Sequence, residues 1–187
     1  MTLLKRRQEL GRKLEQVVQE YNARKNLLDR MKRNAETVRE KVQAAGVTKA
    51  MGQLLRKERT ELPKVSTLRR GVELQHETIA EVELELLDLR KQRDLLVDIS
   101  SLVSRDMLQF DPAFVEGRKW FEEELTKLYE NERDYLQSLI TDNGTYVGRL
   151  IDLQDVTESL IKETEEYLRF INQHILWLRS HEEMRFS

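Results

Sequence analysis

Apolar residues recur at alternating steps of three and four positions between residues 65 and 110. Eleven of the fourteen positions in this series are apolar, and the exceptions are Gln75, Arg93 and Ser100. This is the heptad pattern of a helix that buries one narrow stripe, and no proline interrupts it. The pattern predicts one long helix over residues 64–109. A helix of that length needs other long helices along it, because a compact core could not bury it.

Residues 3–45 carry a second heptad stripe in which the only break is Arg24. We interpret Arg24 as a residue that sets the register of helix packing or that snorkels, with its stem packed and its charged head in water. The stripe consists of Leu10, Leu14, Val17, Tyr21, Leu28, Met31, Ala35, Val38, Val42 and Ala45. It predicts a second long helix.

Glycine and proline mark the ends of these helices. Gly46 suits a left-handed helix cap, and Pro63 stops a short amphipathic helix predicted at 47–62. Asp111-Pro112 is typical of a helix start. Asp142-Asn143-Gly144 indicates a turn between two C-terminal helices, and the alternative is one kinked helix that continues through it.

The predicted fold is therefore all-α: an elongated antiparallel helical bundle or coiled coil of about five helices. Residues 1–110 would form a long helical hairpin with the short helix at its turn, because short connections make successive helices fold back. Residues 111–187 would form a helical pair packed on the hairpin.

Charge is distributed unevenly along the 187 residues. Residues 1–46 hold twelve Lys/Arg against six Asp/Glu, whereas residues 111–187 hold nine against seventeen. The basic residues are interleaved with glutamates and an apolar stripe, which favours packing between helices of the chain over nucleic-acid binding.

Few patterns suggest chemistry. The chain has no cysteine, which excludes disulfides and thiolate metal sites. His174 and His181 share a helix face, but their spacing matches no standard metal site. Neighbouring glutamates such as Glu122 and Glu123 point in different directions on a helix. Asn143-Gly144-Thr145 fits a glycosylation acceptor only in a eukaryotic secretory route. We therefore expect no enzyme activity, metal or cofactor.

Two segments resemble a known family. Residues 54–63 (LLRKERTELP) and 167–180 (YLRFINQHILWLRS) are similar to segments in the extramembrane region of large MscS-like mechanosensitive channels of the potassium-dependent type. The resemblance covers about residues 50–187. The chain departs from the family pattern at Arg179 and at residues 181–183, and it ends before any membrane span, so no conducting residue can be assigned.

The resemblance implies a non-catalytic helical module on the periplasmic side of the bacterial inner membrane. Its job would be structural support or gating input in the osmotic-stress response. Its partners would be the channel's own transmembrane portion, neighbouring subunits of a homo-oligomer, and envelope components. The candidate interaction residues are Leu55, Leu62, Pro63, Tyr167, Leu176 and Trp177.

The alternative is a free-standing cytoplasmic coiled-coil scaffold or adaptor that mediates protein–protein interaction. Apolar spans of about 20 residues after Ser187 would favour the channel. In the channel interpretation, Trp177 would be at least half buried and would anchor the membrane-proximal end of the module. Its indole N–H would then lie near a carbonyl or carboxylate.

Overall fold

The computed structural model describes residues 3–46, 48–109 and 117–185, with the backbone alone at residues 3, 4, 45 and 178–185. The described residues form an all-α helical bundle, which confirms the predicted fold class. Its five helices are α1 (Leu3–Ala45), α2 (Lys49–Glu61), α3 (Val65–Leu95), α4 (Ile99–Met107) and α5 (Arg118–Arg185).

The ends of α1 and α2 follow the sequence signals. Gly46 follows α1 at φ 64°, a left-handed conformation that glycine adopts without a steric penalty. Thr48 caps α2 by accepting a hydrogen bond from the Met51 amide over 3.3 Å. Leu62 is extended at ψ 143°, as a residue before proline prefers, so α2 ends one residue earlier than Leu62.

The single helix expected over residues 64–109 is wrong, because the chain breaks between α3 and α4. The Asp98 carboxylate accepts a hydrogen bond from the Ser101 amide over 3.1 Å and further bonds from the hydroxyls of Ser100 and Ser101. These bonds start a new helix, α4. In its first turn Ile99 is buried in place of Ser100, the residue on the predicted stripe, whereas Val103 and Met107 are buried as that stripe predicts.

The C-terminal part of the described chain is one helix, so the continuous alternative holds and the helical pair does not form. Asn143 is buried inside α5, and its amide donates to the Leu139 carbonyl one turn earlier over 3.0 Å. The preference of Asn143-Gly144 for a turn is therefore outweighed by the burial of Asn143 within the helix. The predicted start at Asp111-Pro112 and the stripe residue Phe110 lie outside the described residues.

The chain divides into two compact units, each of which combines segments far apart in sequence. In the first unit, α1 up to Glu15 lies with Thr78–Arg149. Its core joins α3 to α5 through Leu86, Leu89, Leu96, Leu136, Leu139 and Ile140. A smaller cluster packs Ile99, Val103 and Met107 of α4 against Phe121, Leu125 and Tyr129.

In the second unit, Gln16–Glu77 lies with α5 from Leu150 onward. Its core takes residues from four helices: Leu28, Met31, Ala35, Val38 and Val42 of α1; Met51 and Leu55 of α2; Leu68 of α3; and Leu160, Tyr167, Ile171 and Ile175 of α5. Side-chain contacts show the directions of the helices in this unit. Arg24 contacts Thr157 and Met31 contacts Thr164, so α1 and α5 run parallel. His76 contacts Gln154 and Arg69 contacts Glu165, so α3 runs antiparallel to α5.

These units do not follow a division at residue 110, because α5 contributes to both cores. Among the described residues, seven of the nine largest side chains with less than 2% exposure belong to α5. We therefore call α5 the central helix, a position that the prediction gave to the hairpin of residues 1–110. Basic α1 and acidic α5 form ion pairs within each unit: Arg7 with Asp142 in the first, and Arg39 with Glu163 in the second. Packing of basic against acidic helices is therefore confirmed.

Candidate functional site

A groove of about 270 Å³ in the second unit brings together three of the predicted site residues, Leu62, Pro63 and Tyr167. Pro63 ends α2 and opens the corner before α3, so the groove lies where the chain turns. Its remaining wall is mixed, with apolar, amide and charged side chains: Leu27, Arg30, Met31, Asn34, Glu58 and Glu61. The groove is thus suited to an amphipathic contact.

Tyr167 and Glu58 form the polar centre of this groove. The Tyr167 side chain is fully buried, and its hydroxyl donates to a Glu58 carboxylate oxygen over 3.1 Å. Burial raises the pKa of Tyr167 well above its usual range, and the Glu58 charge adds to the rise. The phenol therefore stays protonated, and the bond ties α2 to α5.

Leu55 is the fourth predicted site residue in this region. It is fully buried in the same core cluster as Tyr167, with Leu62 packed against that cluster. Four of the six predicted site residues therefore lie together. Leu176 and Trp177 lie further along α5, with 61% and 48% of their surfaces exposed, and they do not join the groove.

Arg24 occupies a polar layer in the second unit. Its guanidinium donates to the Thr157 hydroxyl over 3.1 Å and lies beside Gly71, 3.6 Å from where a methyl group on that glycine would sit. Thr157 is itself fully buried. One guanidinium nitrogen of Arg24 thus contacts the bundle interior, where Gly71 leaves it space, and the other lies 3.9 Å from a carboxylate oxygen of the exposed Glu20. The head is therefore only partly in water.

The histidines take separate structural positions. His76 contacts Gln154 over 3.1 Å, and His174 pairs its Nδ1 with the Phe170 carbonyl over 2.8 Å and packs against the Phe170 ring. The side chain of His181 lies outside the described residues. Within the described part of the chain, no group of three or more His, Cys, Asp or Glu side chains is placed to hold a metal ion.

Sequence reasoning missed two features of the surface. Glu58, the partner of Tyr167, lies inside the segment that carries the resemblance, but no spacing in the sequence points to its contact with Tyr167. Leu84, Leu87 and Leu95 are exposed on α3 although they are large and apolar. Their signal was available, because they fall off the buried stripe at positions where a solvated helix normally carries polar residues.

Comparison with known proteins adds no identity: no family model, curated protein or solved structure matches this chain. Among the helices described, none is both long and apolar enough to cross a membrane.

Proposed function

We propose that this chain is a non-catalytic helical module of a mechanosensitive ion channel on the periplasmic side of the bacterial inner membrane. It would support the channel or supply gating input during osmotic stress. The proposal carries forward the resemblance of residues 54–63 and 167–180 to the extramembrane region of MscS-like channels.

One observation supports the proposal most: the two resembling segments are far apart in sequence and meet in space. Leu55, Leu62 and Pro63 come from the first segment and Tyr167 from the second, and the Tyr167–Glu58 hydrogen bond joins them over 3.1 Å. We call this contact between α2 and α5, centred on Glu58 and Tyr167, the joint. Because both segments are needed to form it, one structural requirement accounts for the presence of both in the chain. The joint fixes the corner between α2 and α3 to the central helix.

In this proposal the joint transmits force. A buried aromatic ring with a charge-assisted hydrogen bond resists sliding of α2 along α5, because movement would break the bond inside the packed core. Trp177 lies ten residues beyond Tyr167 on the same helix and is about half exposed. It would face the membrane portion or a neighbouring subunit, in keeping with the amphipathic character of tryptophan.

The test begins with the complete gene. The proposal expects several apolar segments of about 20 residues after codon 187. In cells that depend on this channel, Tyr167→Ala should reduce survival of osmotic downshock, whereas Gln92→Ala, on an exposed position of α3, should not. A gene without apolar spans, or equal survival with both variants, would contradict the channel role.

A second function, a free-standing scaffold or adaptor, is favoured by the exposed leucines on α3. A solvated outer helix face has no need of them, whereas an interaction surface does. This function requires no membrane portion. The same gene therefore discriminates between the two functions.

A further inference from the structure

The outer face of α3 in the first unit carries a stripe of exposed residues at heptad spacing, with a leucine at each end. Val82, Leu86 and Leu89 point into the core, so residues 84, 88, 91 and 95 lie on the opposite side, at steps of four, three and four. Leu84 and Leu95 end this stripe and are 64% and 75% exposed. We call residues 84, 87, 88, 91 and 95 the outer α3 face.

A groove beside this face could receive an apolar side chain. It has a volume of about 390 Å³ and is lined by Glu83, Leu86, Leu87 and Arg90 of α3 and by Gly144 and Val147 of α5. Gly144 contributes no side chain, and apart from the backbone of its own helix nothing lies within 4 Å of where a methyl group would stand. The groove therefore has free space on its α5 side, and Leu87 is the residue that it shares with the outer α3 face.

The charges of this face are complementary to those of the same face in the reverse direction. Along α3 the face presents Leu84, Asp88, Lys91 and Leu95. In the reverse direction a base stands in the place of the acid, an acid stands in the place of the base, and a leucine stands at each end. Asp88 and Lys91 form an ion pair within the chain over 3.8 Å, and each side chain keeps more than two thirds of its surface exposed. Both charges can therefore also contact another molecule.

We propose that the outer α3 face binds a second copy of this chain, with the two α3 helices antiparallel about a twofold axis between residues 89 and 90. In this register Leu84 meets the partner's Leu95, and Asp88 meets the partner's Lys91. Each contact occurs twice, as an isologous interface requires. Leu87 borders the groove and packs beside the axis.

Charge complementarity selects this direction. If the two helices ran parallel and in register, Asp88 would face Asp88 and Lys91 would face Lys91, which is unfavourable. The antiparallel register replaces both repulsive pairs with attractive ones. The pattern thus specifies the orientation of the partner as well as its identity.

The contact should be weak in free solution. Three leucines and two charges per copy bury less than the roughly 1,200 Å² of a specific stable interface, so we expect a dissociation constant above about 1 µM. Copies held near one another in a larger assembly reach effective concentrations on the order of 1 mM, where such a contact is populated. The inference does not depend on the channel proposal.

Charge reversal tests the interface. Sedimentation equilibrium from about 10 µM to about 1 mM should show a monomer–dimer equilibrium for the unmodified chain. Asp88→Lys or Lys91→Asp alone should raise the dissociation constant at least about tenfold, because each creates two like-charge pairs. Mixing these two variants, or combining both changes in one chain, should restore the dimer. Asp29→Lys on α1 is the matched control and should leave association unchanged.

Cross-linking tests the direction, because the chain has no native cysteine. A mixture of Leu84→Cys and Leu95→Cys chains should form a disulfide, whereas Leu84→Cys alone should not. All substituted positions are exposed, so the circular dichroism of each variant should match that of the unmodified chain. A monomer throughout the concentration range, association that the charge variants leave intact, or cross-linking of Leu84→Cys to itself would overturn the proposal.

Discussion

Removing the hydroxyl of Tyr167 tests the joint between α2 and α5. Tyr167→Phe keeps the ring in its fully buried position and deletes only the hydrogen bond to Glu58. A hydrogen bond to a charged group contributes about 1.5–3 kcal/mol when its partner is left unsatisfied. Glu58 is only partly buried and can regain water, so we expect a loss at the lower end, about 1–2 kcal/mol.

Urea unfolding followed by circular dichroism measures this loss at pH 7. Tyr21→Phe, at a partly exposed position of α1, is the control and should change the unfolding free energy by less than about 0.5 kcal/mol. A double-mutant cycle with Glu58→Ala, which removes the acceptor, isolates the coupling between the two side chains. Equal effects of Tyr167→Phe and Tyr21→Phe, or no coupling to Glu58, would refute the joint.

The pKa of Tyr167 supplies a second readout for the same pair. Because the folded state raises this pKa, its stabilising contribution is complete below the unfolded value of about 10 and declines as the pH rises above it. The unmodified chain should therefore lose stability above about pH 10 more steeply than Tyr167→Phe. Parallel curves for the two proteins would contradict burial of the phenol.

Two further predictions concern α3 and α4. Leu86→Ala, in the core of the first unit, should lower the unfolding free energy by roughly 2–5 kcal/mol, whereas Gln92→Ala, off the stripe, should stay within about 0.5 kcal/mol; equal effects would show that the register is wrong. Asp98→Ala should lower the urea midpoint at pH 7, because it removes the cap of α4. Hydrogen bonds from Ser101 lower the Asp98 pKa, so this difference should shrink as the pH falls below about 4, while the difference between Asp98→Asn and Asp98→Ala should not change with pH. A difference between the unmodified chain and Asp98→Ala that is as large in acid as at pH 7 would contradict the charged cap.

Heptad spacing predicted the long helices well because burial of an apolar stripe is a repeated signal. The bounds of α1 agree with the prediction, and Gly46 and Pro63 placed the short α2 within two residues of its observed bounds. A helix break caused by a single capping residue, such as Asp98, gives no repeated signal in the sequence. Asp98 was missed because the apolar stripe continues past it at Val103 and Met107, so periodicity gives no sign of the break.

At Asn143-Gly144 the error is the opposite one, because the sequence predicted a break where the helix continues. Its composition is typical of a turn, but the buried Asn143 satisfies its amide against Leu139 within the helix. At the candidate site, the resemblance identified Tyr167 and Pro63 but could not indicate that Glu58 joins them. The exposure of Leu84 and Leu95 follows from their positions off the buried stripe, whereas the groove beside them depends on how α5 packs against α3, which sequence periodicity does not specify.

The continuity of α5 through residues 142–144 is the claim on which the central helix and the groove at Gly144 both depend. The direct measurement is the change in unfolding free energy on Gly144→Ala. In a helix interior with open space around the new methyl group, alanine should stabilise the chain by about 0.5–1 kcal/mol.

Two other glycines calibrate this measurement. Gly148→Ala should stabilise the chain whether α5 is one helix or two, because residue 148 is helical in either case. Gly46→Ala should destabilise it, because Gly46 has a φ of 64°. If Gly144→Ala behaves like Gly148→Ala, α5 is continuous. If it destabilises the chain as Gly46→Ala does, residues 142–144 form a turn and the single central helix is contradicted.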